Sequence, residues 1–179
     1  SVRKARVIAE PRLLSLTLGS LAFALHRDDR LPEAKAALEE ALAAAEEAGD
    51  AGTVATTRLN LASITNAQGD LAAAIRHYEA AIDMGRRSGR VTTVRQALLN
   101  LANLDLYLGR LARARVSVDA LAAERDELFA YQKAQLLALE ADYAHQSGDL
   151  AAASRLCLAA AEGYNALGRN VDEAEARLE

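Results

Sequence analysis

The feature of this sequence that most constrains its fold is an internal repeat. Gly69-Asp70-Leu71 recurs 40 residues on as Gly109-Arg110-Leu111 and 39 residues later as Gly148-Asp149-Leu150, while Asp29-Arg30-Leu31 holds the same register without the glycine. A small residue stands three positions beyond each leucine: Ala34, Ala74, Ala114 and Ala153. Because one such unit cannot bury its apolar side alone, we predict an array of stacked, equivalent units.

Each unit has the pattern of two amphipathic helices separated by a glycine turn. In the second unit the apolar side of the first helix comprises Leu59, Ala62, Ile64 and Ala67. The second helix carries apolar residues at helical spacing: Leu71, Ala74, Ile75, Tyr78, Ala81 and Ile82. Alanine at the crossing lets two antiparallel helices approach closely, where leucine would separate them. Helices are therefore predicted near residues 12–27, 32–48, 53–68, 71–87, 92–108, 111–124, 127–147 and 150–167.

These residues resemble the tetratricopeptide repeat family. The matching segments are Asn-Leu-Ala at 60–62 and 100–102, Gly-x-Leu at 69–71 and 109–111, and Tyr78-x-x-Ala81-Ile82. The spacing is similar to a longer variant of that repeat, found in bacterial signalling ATPases, multidomain Ser/Thr kinases and transcription regulators. With 42 Ala, 29 Leu, two Pro and 4% aromatic residues, the composition also disfavours β-rich folds.

The predicted fold class is an all-α, right-handed α-solenoid of about four antiparallel helical hairpins, with partial repeats at both ends. We expect a single domain over 1–179, with units near 12–50, 51–90, 91–126 and 127–168, and with 1–11 and 171–179 as remnants of flanking repeats. Because the terminal units leave apolar residues uncovered, we expect end-to-end pairing with another copy. The residues concerned are Val7, Ile8, Leu13, Leu16, Ala160, Leu167 and Leu178.

The fourth unit departs most from the repeat pattern. Glu140 stands where Leu61 and Leu101 stand, and Cys157 stands where Tyr78 stands. We expect Glu140 to be exposed or paired with an arginine, since an unpaired buried carboxylate is costly. Helix 127–147 is then predicted to use Leu136, Leu139 and Tyr143 as its core stripe. Cys157, among alanines and leucines, is predicted to be a core thiol.

No residue pattern in the chain points to catalysis or to a cofactor. His26, His77 and His145 have no second histidine or cysteine at metal-ligand spacing, and no glycine-rich phosphate loop occurs. The single cysteine excludes an internal disulfide and fits a cytoplasmic location. The longest apolar stretch, 13–25, is too short for a membrane span. We therefore expect no enzyme activity, no cofactor, no metal and no membrane partner.

Charge is distributed along the chain in bands. Residues 76–115 carry eight arginines against Glu79, Asp83 and Asp105, whereas residues 33–50 are mostly acidic. These bands fit ordinary solvated helices, or a basic band that attracts an acidic partner segment or an acidic band of another copy. The net charge of −4 argues against a nucleic-acid partner.

The family resemblance implies that the first helix of each unit lines a concave groove that binds a protein or peptide. Asn60 and Asn100 occupy a place at which an asparagine often holds a ligand backbone in peptide-binding members; the alternative is a helix-packing role. The candidate groove residues are Phe23, His26, Asn60, Ser63, Asn66, Gln96, Asn100, Asn103, Tyr107, Gln135, Asp142 and His145.

The leading hypothesis is a protein-interaction or sensor module of a larger regulatory protein, acting in bacterial signal transduction. The resemblance also leaves open a domain that senses a small-molecule effector, because the polar groove suits a sugar-like ligand, and a self-association module. An RNA-reading repeat is a further possibility, but it would require basic grooves, and this chain is acidic overall.

Overall fold

The computed structural model describes the backbone of residues 2–176 and the side chains of residues 13–168. Within that range the chain is all-helical, and within each of the hairpins α1–α2, α3–α4 and α7–α8 the two helices pack against each other across a short turn. The helices are α1 (Val2–Arg27), α2 (Leu31–Glu47), α3 (Ala51–Ala67), α4 (Leu71–Arg87), α5 (Val91–Tyr107), α6 (Leu111–Ala123), α7 (Ala130–Gln146) and α8 (Leu150–Ala176). The prediction of an all-α chain of antiparallel hairpins is confirmed.

The helix boundaries agree with the predicted ones in the middle of the chain and differ towards its ends. The bounds of α2 to α6 lie within two residues of those predicted. Helix α7 begins later than predicted, because Arg125–Glu127 forms a 3₁₀ turn and Leu128 is extended. Two predicted bounds are wrong, since α1 begins at Val2 rather than near residue 12, and α8 continues to Ala176 rather than ending near residue 167. A glycine ends a helix readily where it adopts a left-handed conformation, and Gly168 does not adopt one.

By their internal contacts the residues form two compact units, unit 1 (Ser1–Ala97) and unit 2 (Leu98–Glu179). Unit 1 contains α1 to α4 and the start of α5, and unit 2 contains the rest of α5 with α6 to α8. The sequence-based repeat boundaries and the single domain over 1–179 stay predictions. The side chains of Val7, Ile8 and Leu178 lie outside the described residues.

The turn between α3 and α4 shows why the glycine register marks the hairpins. Gly69 has a left-handed φ of 82°, and the Asp70 N–H donates to the Thr65 carbonyl at 2.9 Å. The Asp70 carboxylate then accepts from the Ala73 N–H at 3.0 Å, which caps α4. Asp29, which replaces the glycine in the first turn, adopts a φ of 59°. The left-handed backbone conformation of the turn is therefore kept even where glycine is absent.

The predicted small residues lie at the helix crossings. Ala34, Ala74 and Ala114 are all fully buried, whereas Ala153 is half-buried. The apolar stripe predicted for α4 is buried, except that Leu71 is half-buried. The stripe predicted for α3 is wrong in part, because Ala67 is exposed and Leu59 only half-buried. The buried α3 residues include Val54, Ala55, Leu61, Ala62, Ile64 and Thr65.

The α7–α8 hairpin accommodates its unusual residues as follows. Glu140 forms an ion pair with Arg125 and is 18% exposed, which confirms the expectation that it pairs with an arginine. Leu136 and Leu139 are buried as predicted, while Tyr143 is half-buried with the Arg115 guanidinium 5.3 Å from its ring centroid.

The prediction that Cys157 is a core thiol is wrong, because its side chain is exposed. Helix α8 packs on α7 through one side, where Gly163 faces Ala134 and Ala160 is buried. Cys157 lies outside that stripe, and Leu158 beside it is 63% exposed. Residues at equivalent positions of two repeats are therefore not always buried to the same extent.

Candidate binding surface

Unit 1 contains a hollow between its first helices, α1 and α3. This hollow has a volume of about 230 Å³, and α2 contributes Leu38 to it. Four of the predicted groove residues meet there: Phe23 and His26 from α1, and Asn60 and Ser63 from α3. The other lining residues are Gly19, Ala22 and Ile64.

A second, larger hollow of about 470 Å³ adjoins the first one and shares Gly19, Phe23 and Asn60 with it. It is rich in hydroxyl groups, and Arg90 contributes a cation. We call the two hollows together the α1–α3 groove. The further residues lining the second hollow are Ser15, Leu16, Ser20, Thr53, Thr56, Thr57 and Arg90.

Phe23 and Asn60 stand where the two hollows meet. The Phe23 side chain is 65% exposed, although it is large and apolar. Asn60 is exposed, and within residues 13–168 its carboxamide has no hydrogen-bond partner. A free carboxamide can donate to a carbonyl and accept from an N–H at the same time. The centre of the groove therefore offers an apolar surface beside an unused hydrogen-bonding group.

The hydroxyl-rich hollow contains a buried polar atom without a partner. Ser15 is 2% exposed, and its Oγ has no hydrogen bond within the described part of the chain. Thr53 and Thr57 are also buried, and Thr56 Oγ1 hydrogen-bonds the Gly52 carbonyl at 3.2 Å. A buried hydroxyl left unpaired is costly, so this end of the groove is suited to a polar ligand.

Arg90 is held in the second hollow by the shape of α3. Its guanidinium lies against Gly52, and a Cβ at residue 52 would displace it from this position. Arg90 is exposed and makes no ion pair within residues 13–168. Because an arginine is charged at all physiological pH values, this end of the groove is positively charged and open to an acidic group.

Unit 2 has a separate, smaller hollow of about 160 Å³, which we call the carboxamide hollow. Four of the predicted groove residues meet there, together with Tyr164 from α8. Asn100 already has an interaction partner within the chain. The full lining comprises Leu99, Asn100, Asn103, Gln135, Ala138, Leu139, Asp142 and Tyr164.

The remaining predicted groove residues line neither the α1–α3 groove nor the carboxamide hollow. Asn66 and His145 are exposed at the C-terminal ends of α3 and α7, and Tyr107 is 79% exposed at the end of α5. Gln96 is half-buried and has a partner within the chain. The structure thus brings the predicted residues together in two groups of four, one in each unit.

Sequence reasoning missed the hydroxyl residues and Arg90 in unit 1, and Tyr164 in unit 2. Ser15, Thr53 and Thr57 lie nearer the start of their helices than the predicted groove residues of those helices. A signal was present for Arg90: it is an arginine directly before a first helix, where Asp50 stands one repeat earlier. Tyr164 comes from a second helix, and the pattern gave no reason to place it beside first-helix residues.

A further cavity of about 430 Å³ lies among α6, α7 and α8 on the second-helix side of unit 2. Arg115 pairs with Asp119 at 2.7 Å, and hydrogen bonding to this carboxylate holds the pKa of Arg115 above its ordinary value. Asp149 caps α8 through the Ala152 N–H at 2.9 Å. Since these polar groups already have partners, this cavity offers fewer free groups to a ligand than the α1–α3 groove does.

Metal binding and membrane insertion receive no support from the described residues. Among them, no group of three or more His, Cys, Asp or Glu side chains is placed to hold a metal ion. No helix in that part of the chain combines the length and apolar character needed to cross a membrane.

Comparisons with known proteins agree with this architecture. The tetratricopeptide repeat family matches residues 13–87 and 53–117, which together cover more than half of the chain. No curated protein matches the sequence. A crystal structure of BtubC (BKLC) from P. vanneervenii matches with a TM-score of 0.77 and 24% identity, over 88% of this chain and 66% of that one. This likeness is one of fold, and it confirms the α-solenoid class.

Proposed function

Since this chain belongs to the tetratricopeptide repeat family, whose repeats generally form non-catalytic scaffolds for protein–protein interaction, we propose that its α1–α3 groove binds an extended peptide segment of a protein partner. The observation that carries the proposal is Asn60, an exposed asparagine with no partner within the described residues, at the junction of two hollows. Its carboxamide suits a peptide backbone, which presents an N–H and a carbonyl whatever its sequence.

Phe23 supplies the apolar contact in this proposal. Its exposed ring adjoins both hollows, and an apolar side chain of the bound segment covers it. Burying an aromatic ring removes a large apolar area from water, which makes such residues frequent centres of binding energy. Asn60 then orients the backbone while Phe23 contributes most of the affinity.

Arg90 and the hydroxyl groups give the groove a charge preference. The uncompensated guanidinium favours a segment with an aspartate, a glutamate or another oxyanion at this end. Ser15 Oγ, which has no hydrogen bond among the described residues, supplies an additional polar contact. We therefore propose an acidic partner segment, as expected from the basic band at residues 76–115.

At the level of the cell, we propose that the chain serves as an interaction module of a larger bacterial regulatory protein in the cytoplasm. This proposal is supported by the spacing of 39 and 40 residues between the glycine turns, which is similar to the long repeat of bacterial signalling proteins. The match to BtubC from P. vanneervenii covers 66% of that protein's chain.

The binding test uses an array of peptides that contain aspartate or glutamate, with amide counterparts as controls. We expect Asn60→Ala to weaken binding of a selected peptide by up to roughly tenfold, the value for loss of about 1.5 kcal/mol of hydrogen bonding. Asn66→Ala is the matched control, since Asn66 lies on the same helix outside both hollows. Equal binding by wild type and the Asn60 variant would move the interface away from this groove.

A small-molecule effector is the second candidate function, because hydroxyl and amide groups concentrate in the 470 Å³ hollow. A sugar-like ligand is hydrogen-bonded by such groups, as a peptide is. Thermal-shift screening of neutral sugars separates the two: stabilisation by a sugar, with no binding in the acidic peptide array, supports the effector function.

Self-association stays a prediction of its own. Helix α1 exposes several leucines, of which Leu13 and Leu16 were expected at a pairing surface. Ala160, which was expected there as well, is buried within unit 2. Sedimentation of the chain over a concentration series measures the pairing, and Leu13→Ser with Leu16→Ser is expected to reduce it.

A further inference from the structure

The carboxamide hollow of unit 2 contains an acceptor that the chain leaves unused. Gln135 Oε1 is buried, and it has no hydrogen-bond partner within residues 13–168. Gln135 lies on α7 and lines the hollow together with Asn103 of α5. Asp142, two helical turns further along α7, lines it as well. A carbonyl oxygen of this kind is stabilised by an N–H or O–H donor. Within residues 13–168 this oxygen therefore lacks a donor, which a bound ligand could supply.

The charge of the same hollow is also uncompensated. Asp142 is exposed at its rim and makes no ion pair with any described residue. The eight lining residues include this one carboxylate and no lysine, arginine or histidine. A group that supplied both hydrogen-bond donors and positive charge would satisfy Gln135 and Asp142 together.

The walls of the hollow suit a flat cation on an apolar stem. Tyr164 is 45% exposed and presents its ring from α8, while Leu99 and Leu139 form buried apolar surface. A guanidinium stacks on aromatic rings and carries five N–H donors in a plane, whereas an ammonium is a compact, strongly hydrated charge. The volume of about 160 Å³ admits the end of one side chain.

We propose that the carboxamide hollow is a binding site for the guanidinium of an arginine side chain on a partner segment. The guanidinium donates to Gln135 Oε1 and to the Asp142 carboxylate, and its plane lies against Tyr164. This site is independent of the α1–α3 groove, because it uses residues of unit 2 alone. It would give the chain a second specificity, for a basic residue.

The test titrates the whole chain with N-acetyl-arginine-N-methylamide and follows backbone amide signals by NMR. We expect shifts at Asn103, Gln135, Asp142 and Tyr164, and little response to the citrulline counterpart, which is similar in shape but neutral. The lysine counterpart is expected to bind at least several-fold more weakly than arginine. Equal responses to the arginine and citrulline probes would overturn the proposal.

Three variants separate recognition from folding. Asp142→Asn is expected to weaken arginine binding about tenfold, and Gln135→Glu to strengthen it several-fold by adding a second carboxylate. Asp126→Asn, an exposed acid of the same unit outside the hollow, is the control and leaves binding unchanged. Weaker binding by a folded Gln135→Glu variant would show that no cation occupies the site. Since peptide binding to unit 1 is measured with acidic peptides, failure of either proposal is distinguishable from failure of the other.

Discussion

The α3–α4 and α7–α8 hairpins share one sequence register but bury different surfaces. In α4, Ile75, Tyr78 and Ile82 are buried, in addition to the residues that face α3. Their counterparts in α8 are Ser154, Cys157 and Ala161, and all three are exposed. Helix α4 is therefore buried over a wide arc, and α8 along a narrow stripe.

This difference shows which features of a repeat determine the structure of its own hairpin. The glycine turn and the aspartate cap recur in both, with Asp70 and Asp149 each accepting from a backbone N–H. These local features depend on the turn alone. Helix α4 has a further neighbour in the start of α5, where Val94 lies against Gly85. Local signals thus define each hairpin, while the width of its buried face depends on what packs beside it.

The largest expected effect tests this difference at Tyr78 and Cys157. Tyr78→Ala removes a ring that is 2% exposed, and we expect it to lower the free energy of unfolding by about 3–5 kcal/mol. Cys157→Ala is expected to change it by less than about 0.5 kcal/mol, because that side chain is exposed. Urea denaturation measures both. Similar losses in the two variants would contradict the difference in burial.

The crossing residues provide a second, smaller contrast. Ala74 is fully buried, so Ala74→Leu is expected to overpack the α3–α4 crossing and to cost about 1–3 kcal/mol. Ala153 holds the same position in α8 but is half-buried, and Ala153→Leu is expected to cost less than about 1 kcal/mol.

Ala72→Leu is the control for the crossing variants, because Ala72 is exposed on the same helix as Ala74. Thermal unfolding should leave this variant close to wild type. If Ala74→Leu were equally neutral, the assignment of residue 74 to the helix crossing would be wrong.

The sequence was sufficient to predict the elements whose causes are local. Helix α4 was predicted from Leu71 to Arg87, because a glycine turn precedes it and Ser88-Gly89 follows it. The pairing of Glu140 followed from the cost of burying a lone charge. Cys157 and Gly168 were predicted wrongly for one reason: the register was carried from other repeats to α8, although α8 has a narrower buried face and continues past the position of the glycine.

Buried polar residues were harder to predict than apolar ones. Asp105 is 1% exposed in α5, at the position where α3 has Thr65. Its carboxylate lies 3.3 Å from the Arg113 Nε and 3.9 Å from Arg110, which compensate its charge. The polar residues of the binding surfaces were equally hard to predict from the sequence. The pattern located Asn60 and Gln135 on first helices, but only the packed structure shows that neither the Asn60 carboxamide nor the Gln135 oxygen has a partner among residues 13–168.

The Arg125–Glu140 pair provides a third way to sharpen the comparison, since α3 has Leu61 where α7 has Glu140. Arg125→Met leaves a largely buried carboxylate unpaired, and we expect a loss of about 1–2 kcal/mol, between the values for surface and for buried pairs. Glu140→Leu combined with Arg125→Met restores the residue type of the other hairpin and is expected to recover that loss. A double-mutant cycle in urea gives the coupling. Additive effects would mean that the pair contributes nothing to stability.

The smallest expected effect concerns pH and belongs to the α3–α4 hairpin. His77 is half-buried on α4, where the α8 counterpart is Leu156. Burial lowers the pKa of His77 below its ordinary value of 6.5, and the charges of Arg58, Arg76 and Lys35 lower it further against the opposing effect of Glu39. The folded chain therefore resists a proton that the unfolded chain accepts once the pH falls below 6.5.

The free energy of unfolding should accordingly decrease as the pH falls from 6.5 towards the lowered pKa of His77. Above pH 6.5, His77 should cause no such decrease. His77→Leu copies the residue of the other hairpin and removes the titrating group, and His77→Gln removes it while keeping a polar side chain. We measure the change in urea midpoint between about pH 7.5 and about pH 5.5. This change is expected to differ from that of wild type by the same amount in both variants, since both lack the His77 titration. Unfolding curves whose pH dependence equalled that of wild type in both variants would show that His77 takes up its proton equally well in the folded and unfolded chains.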